Sequence, residues 1–193
     1  MVVNPRYTNR IQKDLKICLA QALLDWFGVG EDKCPVIQGG QTPIQTAARY
    51  VAFHKISSRK LGMQGRMFKT DCQAESGFTV YENWVDEMTF QINVRTKESA
   101  SDSDDAVTAR DIAVGISGWF NSLKGISFLR GKRMAALNTT EVRDLVSSDE
   151  NDLWQNTASF DLVLHIGQCK GMTEESQDAR LVGIVGVPIV GNQ

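Results

Sequence analysis

The sequence predicts an α+β protein, a two-layer sandwich in which a mostly antiparallel sheet carries helices on one face and a β-hairpin arm projects from it. Three stretches predict this. In Met88–Arg95 the apolar residues Met88, Phe90, Ile92 and Val94 alternate with Thr89, Gln91, Asn93 and Arg95, the period of a strand with one buried face. In Asp105–Leu123 the residues Ala109, Ile112, Ile116, Trp119, Phe120 and Leu123 recur at helical spacing and form one apolar stripe. In Ser159–Ile166, Phe160, Leu162, Leu164 and Ile166 alternate with Ser159, Asp161, Val163 and His165, and antiparallel pairing with Met88–Val94 is the simplest arrangement for this second strand. A half-buried strand beside an amphipathic helix is half of a two-layer packing.

Taken in order, Asn9–Phe27 reads as the first helix. Ile11, Leu15, Cys18, Leu19, Ala22, Leu23 and Trp26 share one stripe, and Gly28 and Gly30 are placed to stop it. A short strand at Val36–Gln38 follows Pro35, then a turn-rich Gly-Gly-Gln-Thr-Pro run at 39–43, then a β-branched and aromatic strand at Arg49–Ser57. Gly62 and Gly65 bracket the expected tip of a long hairpin that returns through Arg66–Thr70. After the central strand, Glu98–Asp105 holds four acids, no base and several serines. It suits an exposed linker ending at a helix N-cap at Asp102 or Ser103, with Asp104 and Asp105 favouring the positive end of the helix dipole. Gly125 is expected to end that helix. Ile126–Leu137 is read as a short amphipathic helix, Thr139–Val146 as a strand with Val142 inward and Leu145 a further inward candidate, and Ser147–Asp152 as an acidic turn. The apolar, Gly-rich segment Leu181–Val190 suits a strand added to its own or a neighbour's sheet.

The 193 residues suffice for a single domain, 1–193, with 55–69 as the arm and 169–193 as an extension. Hydrophobic residues at 42% and charged ones at 23% exclude a wholly disordered chain. The net charge of −2 hides a segregated distribution. Lys55, Arg59, Lys60, Arg66 and Lys69 form a basic block without an acid, and Lys124, Arg130, Lys132 and Arg133 form a second. Cys18, Cys34, Cys72 and Cys169 are scattered, with no C-x-x-C and no nearby His at ligand spacing, so no zinc site is expected. No apolar run has signal-peptide or membrane-span length. The expectation is a chain made in a reducing cytoplasm with free thiols, binding no metal, cofactor or membrane.

No phosphate-binding glycine loop, dinucleotide fingerprint, nucleophile elbow or H-E-x-x-H occurs. His54 and His165 are the only imidazoles, and neither has a nucleophile or metal partner at readable spacing. No catalytic residue is assigned, and the chain is read as a non-enzyme. Trp26, Trp119 and Trp154 fall on apolar faces and are assigned to the core; Trp84, between Asn83 and Val85, is left as an interface anchor.

The order of these pieces resembles the tail terminator proteins of tailed bacteriophages, including their neck-terminator branch. The resemblance runs from Asn9 to Gly167: an N-terminal helix stopped by Gly, the Gly-Gly-Gln-Thr-Pro turn, a long β-excursion, the alternating strand Met88–Arg95, the Ser/Asp linker, the helix Asp105–Leu123, a short basic segment and the strand Ser159–Gly167. It implies a compact α/β virion subunit, assembled from the host cytoplasm into a homohexameric ring at the tail/neck junction. Such a ring caps the tail tube, stops its polymerisation, meets the head-side connector and lets DNA pass without sequence-specific binding; whether a sheath also binds is left open. The acidic linker, the basic arm and the segment after Gln168 have no counterpart in that pattern, so a head-completion or connector protein on the portal side stays as the alternative. An enzyme or small-molecule binder using His54, His165 or a cysteine is more remote.

A ring subunit needs no pocket chemistry, but it needs two different edges that close by rotation. By length and charge, the candidate subunit or partner contacts are Lys55, Arg59, Lys60, Arg66 and Lys69 of the arm, Trp84, and Leu181, Val182, Ile184, Val185, Val187 and Ile189 of the extension. The acidic residues Glu98, Asp102 and Asp104, or Asp149, Glu150 and Asp152, are candidates to face the channel, where negative charge keeps passing DNA from adhering.

Overall fold

Helix α1 (Pro5–Phe27) buries Ile11, Leu15, Cys18, Leu19, Ala22 and Leu23, the stripe legible in the sequence. It ends where Gly28 turns to φ 63° and its N–H reaches the Leu24 carbonyl at 3.0 Å. The computed structural model describes residues 5–39, 48–70, 77–97, 107–148 and 154–175. After α1 come β1 (Val36–Gln38), β2 (Arg49–Thr70), β3 (Gly77–Thr96), α2 (Ala109–Asn121), α3 (Leu123–Gly131), β4 (Met134–Thr139), β5 (Arg143–Ser148) and β6 (Trp154–Glu175).

The strands form one open, mixed sheet of order β1-β2-β3-β6-β4, with β5 also on β6. β1 runs parallel to β2, pairing Val36 with Val51 and Gln38 with Phe53. β4 and β5 both run antiparallel to β6, from Met134 opposite Ile166 to Ser148 opposite Trp154. The connection 71–76 is too short for a parallel crossover, so β2 and β3 make an antiparallel hairpin. One face of the sheet is apolar and buried: Val51 and Phe53, then Met88, Phe90, Ile92 and Val94, then Phe160, Leu162, Leu164 and Ile166. They share one core with the buried stripes of α1 and α2 and with Leu129 of α3. Thr89, Gln91 and Asn93, on the other face, are half-buried and Arg95 is exposed. The α+β architecture read from the sequence is therefore the one observed.

Two compact units divide the chain. One comprises Met1–Gly62 and Val85–Gly167, holding the helices and the core; the other comprises Met63–Trp84 and Gln168–Gln193, and takes in the far ends of β2, β3 and β6.

Several local expectations are corrected. The N-cap of α2 is Thr108, not Asp102 or Ser103: its hydroxyl accepts from the Asp111 N–H at 3.2 Å, and the Asp111 carboxylate accepts from the Thr108 N–H at 3.0 Å. Gly125 does not end this helix. Ser122, in extended backbone, caps both neighbours: its N–H reaches the Trp119 carbonyl at 3.0 Å, and its hydroxyl oxygen accepts from the Gly125 N–H at 3.1 Å. Residues 126–137 are not one helix, because Arg133 turns to φ 58° and the chain leaves as β4. Thr139–Val146 is not one strand, since residues 140–142 separate β4 from β5. No tip lies between Gly62 and Gly65; β2 continues to Thr70 although Gly62 adopts φ 66°. Trp26 is 57% exposed, and it is Phe27 that packs against the core at the end of α1.

Gly125 needs its lack of a side chain, because a Cβ there would run into the Trp119 carbonyl oxygen. We expect Gly125→Ala to destabilise the protein by about 1–3 kcal/mol, the usual cost of overpacking. Gly118→Ala, on the exposed side of α2 with nothing within 4 Å, should instead stabilise it by roughly 0.5–1 kcal/mol through helix propensity. Urea melts of both variants against the parent measure these opposite signs.

Candidate functional site

The described part of the basic block lies on β2, where Lys55 is half-buried and Arg59 and Lys60 are exposed. The block has no acid in sequence, yet the sheet brings one to it. Glu87 of β3 accepts from Arg59 Nε at 2.6 Å and lies 3.2 Å from His165 Nε2 on β6. The Arg59 guanidinium first, then His165, holds the Glu87 carboxyl below the usual carboxylate range, and Glu87 in turn raises Arg59. An ionised Glu87 only accepts, so the hydrogen of this contact sits on His165 Nε2. One carboxylate thus links three consecutive strands of the sheet. Such an exposed ion pair is screened by solvent and orients side chains more than it stabilises.

Lys60 and Trp84 also have partners, and Trp84 is half-buried on β3. Arg66 and Lys69 fall within β2, but their side chains lie outside the described residues. Leu181, Val182, Ile184, Val185, Val187 and Ile189 lie outside them as well, as do Glu98, Asp102, Asp104, Asp149, Glu150 and Asp152. His54 is exposed on β2. Asp161 pairs with Arg143 of β5 at 3.0 Å, a cross-strand polar contact.

The helix layer offers a surface that the sequence did not announce. Six of the nine large exposed apolar side chains among the described residues lie on α1–α3: Ile17, Leu24, Trp26, Val114, Leu123 and Ile126. The Trp26 ring sits against α2 at Gly115, where an added Cβ would come within 2.7 Å of Trp26 Cδ1 and 2.6 Å of Phe27 Cζ. Beneath this surface Asp25 accepts from Lys124 Nζ at 2.7 Å, Gln21 Nε2 at 2.8 Å and the buried Trp119 indole at 2.9 Å. The Lys124 hydrogen bond is the main cause of its lowered pKa. Lys132 reaches Asp14 at 3.4 Å. These two pairs set α3 antiparallel to α1, so half of the second basic cluster is spent within the fold, leaving Arg130 and Arg133 exposed. Leu123, at 88% exposure, is the apolar residue the helical stripe misassigned: with α2 ending at Asn121, it belongs to α3 and points away from the core.

Burial pushes the Cys18 thiol up to about 12 and the Cys34 thiol up to about 11. Among the described residues no group of three or more His, Cys, Asp or Glu is placed to hold a metal ion, and no helix is long and apolar enough to cross a membrane.

Compared with known proteins, the chain matches at residues 9–171 the family model described as E217 gateway protein gp29. That span includes α2–α3, the hairpin strands and most of α1 and β6. No curated protein matches the chain.

Removing the Asp25 carboxylate leaves the buried Trp119 indole without its acceptor, so Asp25→Ala should cost about 1–3 kcal/mol at neutral pH. Because the folded pKa of Asp25 is depressed, its contribution is fully present above the unfolded value, about 3.9, and fades as pH falls through the lower folded one. The stability gap between parent and variant should therefore narrow below about pH 4, which urea melts at pH 7, 4 and 3 would show. The buried thiols should resist iodoacetamide at pH 8 in the folded protein and react on unfolding. Peptide mapping reads this out, and rapid native labelling of Cys18 or Cys34 would contradict their burial.

Proposed function

From the premise that this chain belongs to the E217 gateway protein gp29 family, structural proteins of the bacteriophage neck, we propose that it forms a homo-oligomeric ring between the head-side connector and the tail, around the path of the DNA. The observation that carries this reading is the span of the family match, which takes in the core of the fold rather than one motif. The chemistry is consistent with a non-enzymatic part: His165 is engaged by Glu87, and the two described thiols are held protonated.

The proposal puts six copies in the ring. A closed ring uses two different patches per subunit, joined head to tail, and the molecule supplies candidates of unlike character: the polar, ion-paired strands around Glu87 and the apolar helix surface around Trp26. The channel is lined by acidic side chains drawn from Glu98–Asp105 or Ser147–Asp152 and passes DNA without reading its sequence.

A second reading keeps the same ring but seats it on the last ring of the tail tube, as a terminator of its growth. The order of elements from Asn9 to Gly167, which resembles that of tail terminators, favours it. The two readings differ in the partner bound.

Light scattering of the purified chain, alone and with purified tail tubes or portal-side rings, tests both. We expect a species of about six subunits that sediments with the portal-side ring. Co-sedimentation with the tube alone would favour the terminator, and a monomer under all three conditions would refute assembly.

A further inference from the structure

We propose that the apolar helix surface around Trp26, Val114 and Leu123 is the seat of the uncharged segment 181–193 of a neighbouring copy. This deepens the ring reading above and rests on it.

The surface has the composition of an unfilled contact. Trp26, Val114 and Leu123 are 57%, 51% and 88% exposed, and the Trp26 ring lies beside α2 at Gly115. Large aromatic side chains, Trp above all, are enriched among the anchors of interfaces. Two ion pairs lie nearby, Asp25 with Lys124 and Arg110 of α2 with Asp144 of β5, and the exposed Asp111 is held by Thr108 in the cap of α2. Lys124 and Arg110, both paired, are not free to recruit an acidic partner, so an apolar occupant suits Trp26, Val114 and Leu123.

One segment of this chain fits that description. Residues 181–193 carry no Asp, Glu, Lys or Arg and include seven aliphatic residues: Leu181, Val182, Ile184, Val185, Val187, Ile189 and Val190. Extended, thirteen residues span about 40 Å, several times the roughly 10 Å width of a helix. Residues 176–180 follow the end of β6 at Glu175 and serve as the spacer.

The sheet edges are poor alternatives for this segment. β1 is only three residues long, and β4 carries a register shift between Ala136 and Asn138, a bulge that bends the edge out of line. On β5, Arg143 and Asp144 are both committed to ion pairs. Short, bulged and charged edges discourage strand addition. A head-to-tail ring also needs two unlike patches, and a segment received by a helix face meets that requirement where a helix face docking on itself does not.

The test uses the full chain with a photoreactive benzoylphenylalanine in place of Leu123, assembled from equal amounts of isotopically heavy and ordinary protein. After irradiation, we expect cross-links from position 123 to peptides within 181–193, with heavy–light pairs as frequent as a random mixture requires. Val187→Asp in the same chain should reduce their yield several-fold while the circular dichroism of the fold stays unchanged. Rings that cross-link within one chain, to α1–α3 of another copy, or nowhere in 181–193 would overturn the inference and leave the ring standing. Failure to form any oligomer, even with tail tubes or portal-side rings added, would overturn the ring and the contact together.

Discussion

Trp119 holds the helix layer together, and most of the molecule's features depend on how that one side chain is accommodated. Its ring is almost fully buried, edge-on to Phe120 at 5.3 Å and to Phe128 at 5.9 Å between centroids. Its indole N–H donates to Asp25 of α1, and its carbonyl accepts from the backbone and hydroxyl of Ser122. Burying an indole without an acceptor is costly, so the Asp25 carboxylate must sit at the end of α1. Once there, it draws Lys124 and fixes the start of α3. The tight turn from α2 into α3 leaves no room for a side chain at Gly125. Three helices are thereby joined at one point, with their apolar stripes aimed at the same face of the sheet.

That arrangement leaves the molecule with two surfaces of unlike chemistry. The sheet turns its apolar residues toward the helices and keeps a polar set outward, on which Glu87 gathers Arg59 and His165 from the flanking strands. The helix layer, with Asp25 and Lys124 paired within it, presents Trp26, Val114 and Leu123 to the outside. A polar surface and an apolar one on the same subunit suit heterologous contacts, in which each copy offers one patch and receives on the other. Unlike patches of this kind are what the proposed ring requires.

The most legible parts of the sequence were those where one period runs unbroken over one buried face. Met88–Val94 and Phe160–Ile166 alternate because a sheet face is covered, and Leu15, Cys18, Leu19, Ala22 and Leu23 recur because α1 lies on that cover. Boundaries were less legible. Thr108-Ala-Arg-Asp111 carried a readable cap signal, but the acidic run before it offered competing caps at Asp102 and Ser103. The break at Ser122 was hidden because the apolar stripe continues in phase through Leu123, and the turn at Arg133 because a left-handed conformation at a non-glycine residue leaves no mark in composition.

Sequence alone determined the class of the fold, the buried faces of its two central strands and first helix, and the segregation of charge along the chain, because each is written as a local pattern of residue types. Tertiary structure decided which of those charges are spent and which face outward. Arg59 met its acid on β3, Lys124 and Lys132 met theirs on α1, and Trp26, at a core position by period, stayed exposed because α2 meets the end of α1 at Gly115. Those pairings join residues 28 to 118 positions apart. No local period reaches that far; only the packing of strand on strand and helix on helix brings such groups within a hydrogen bond of one another.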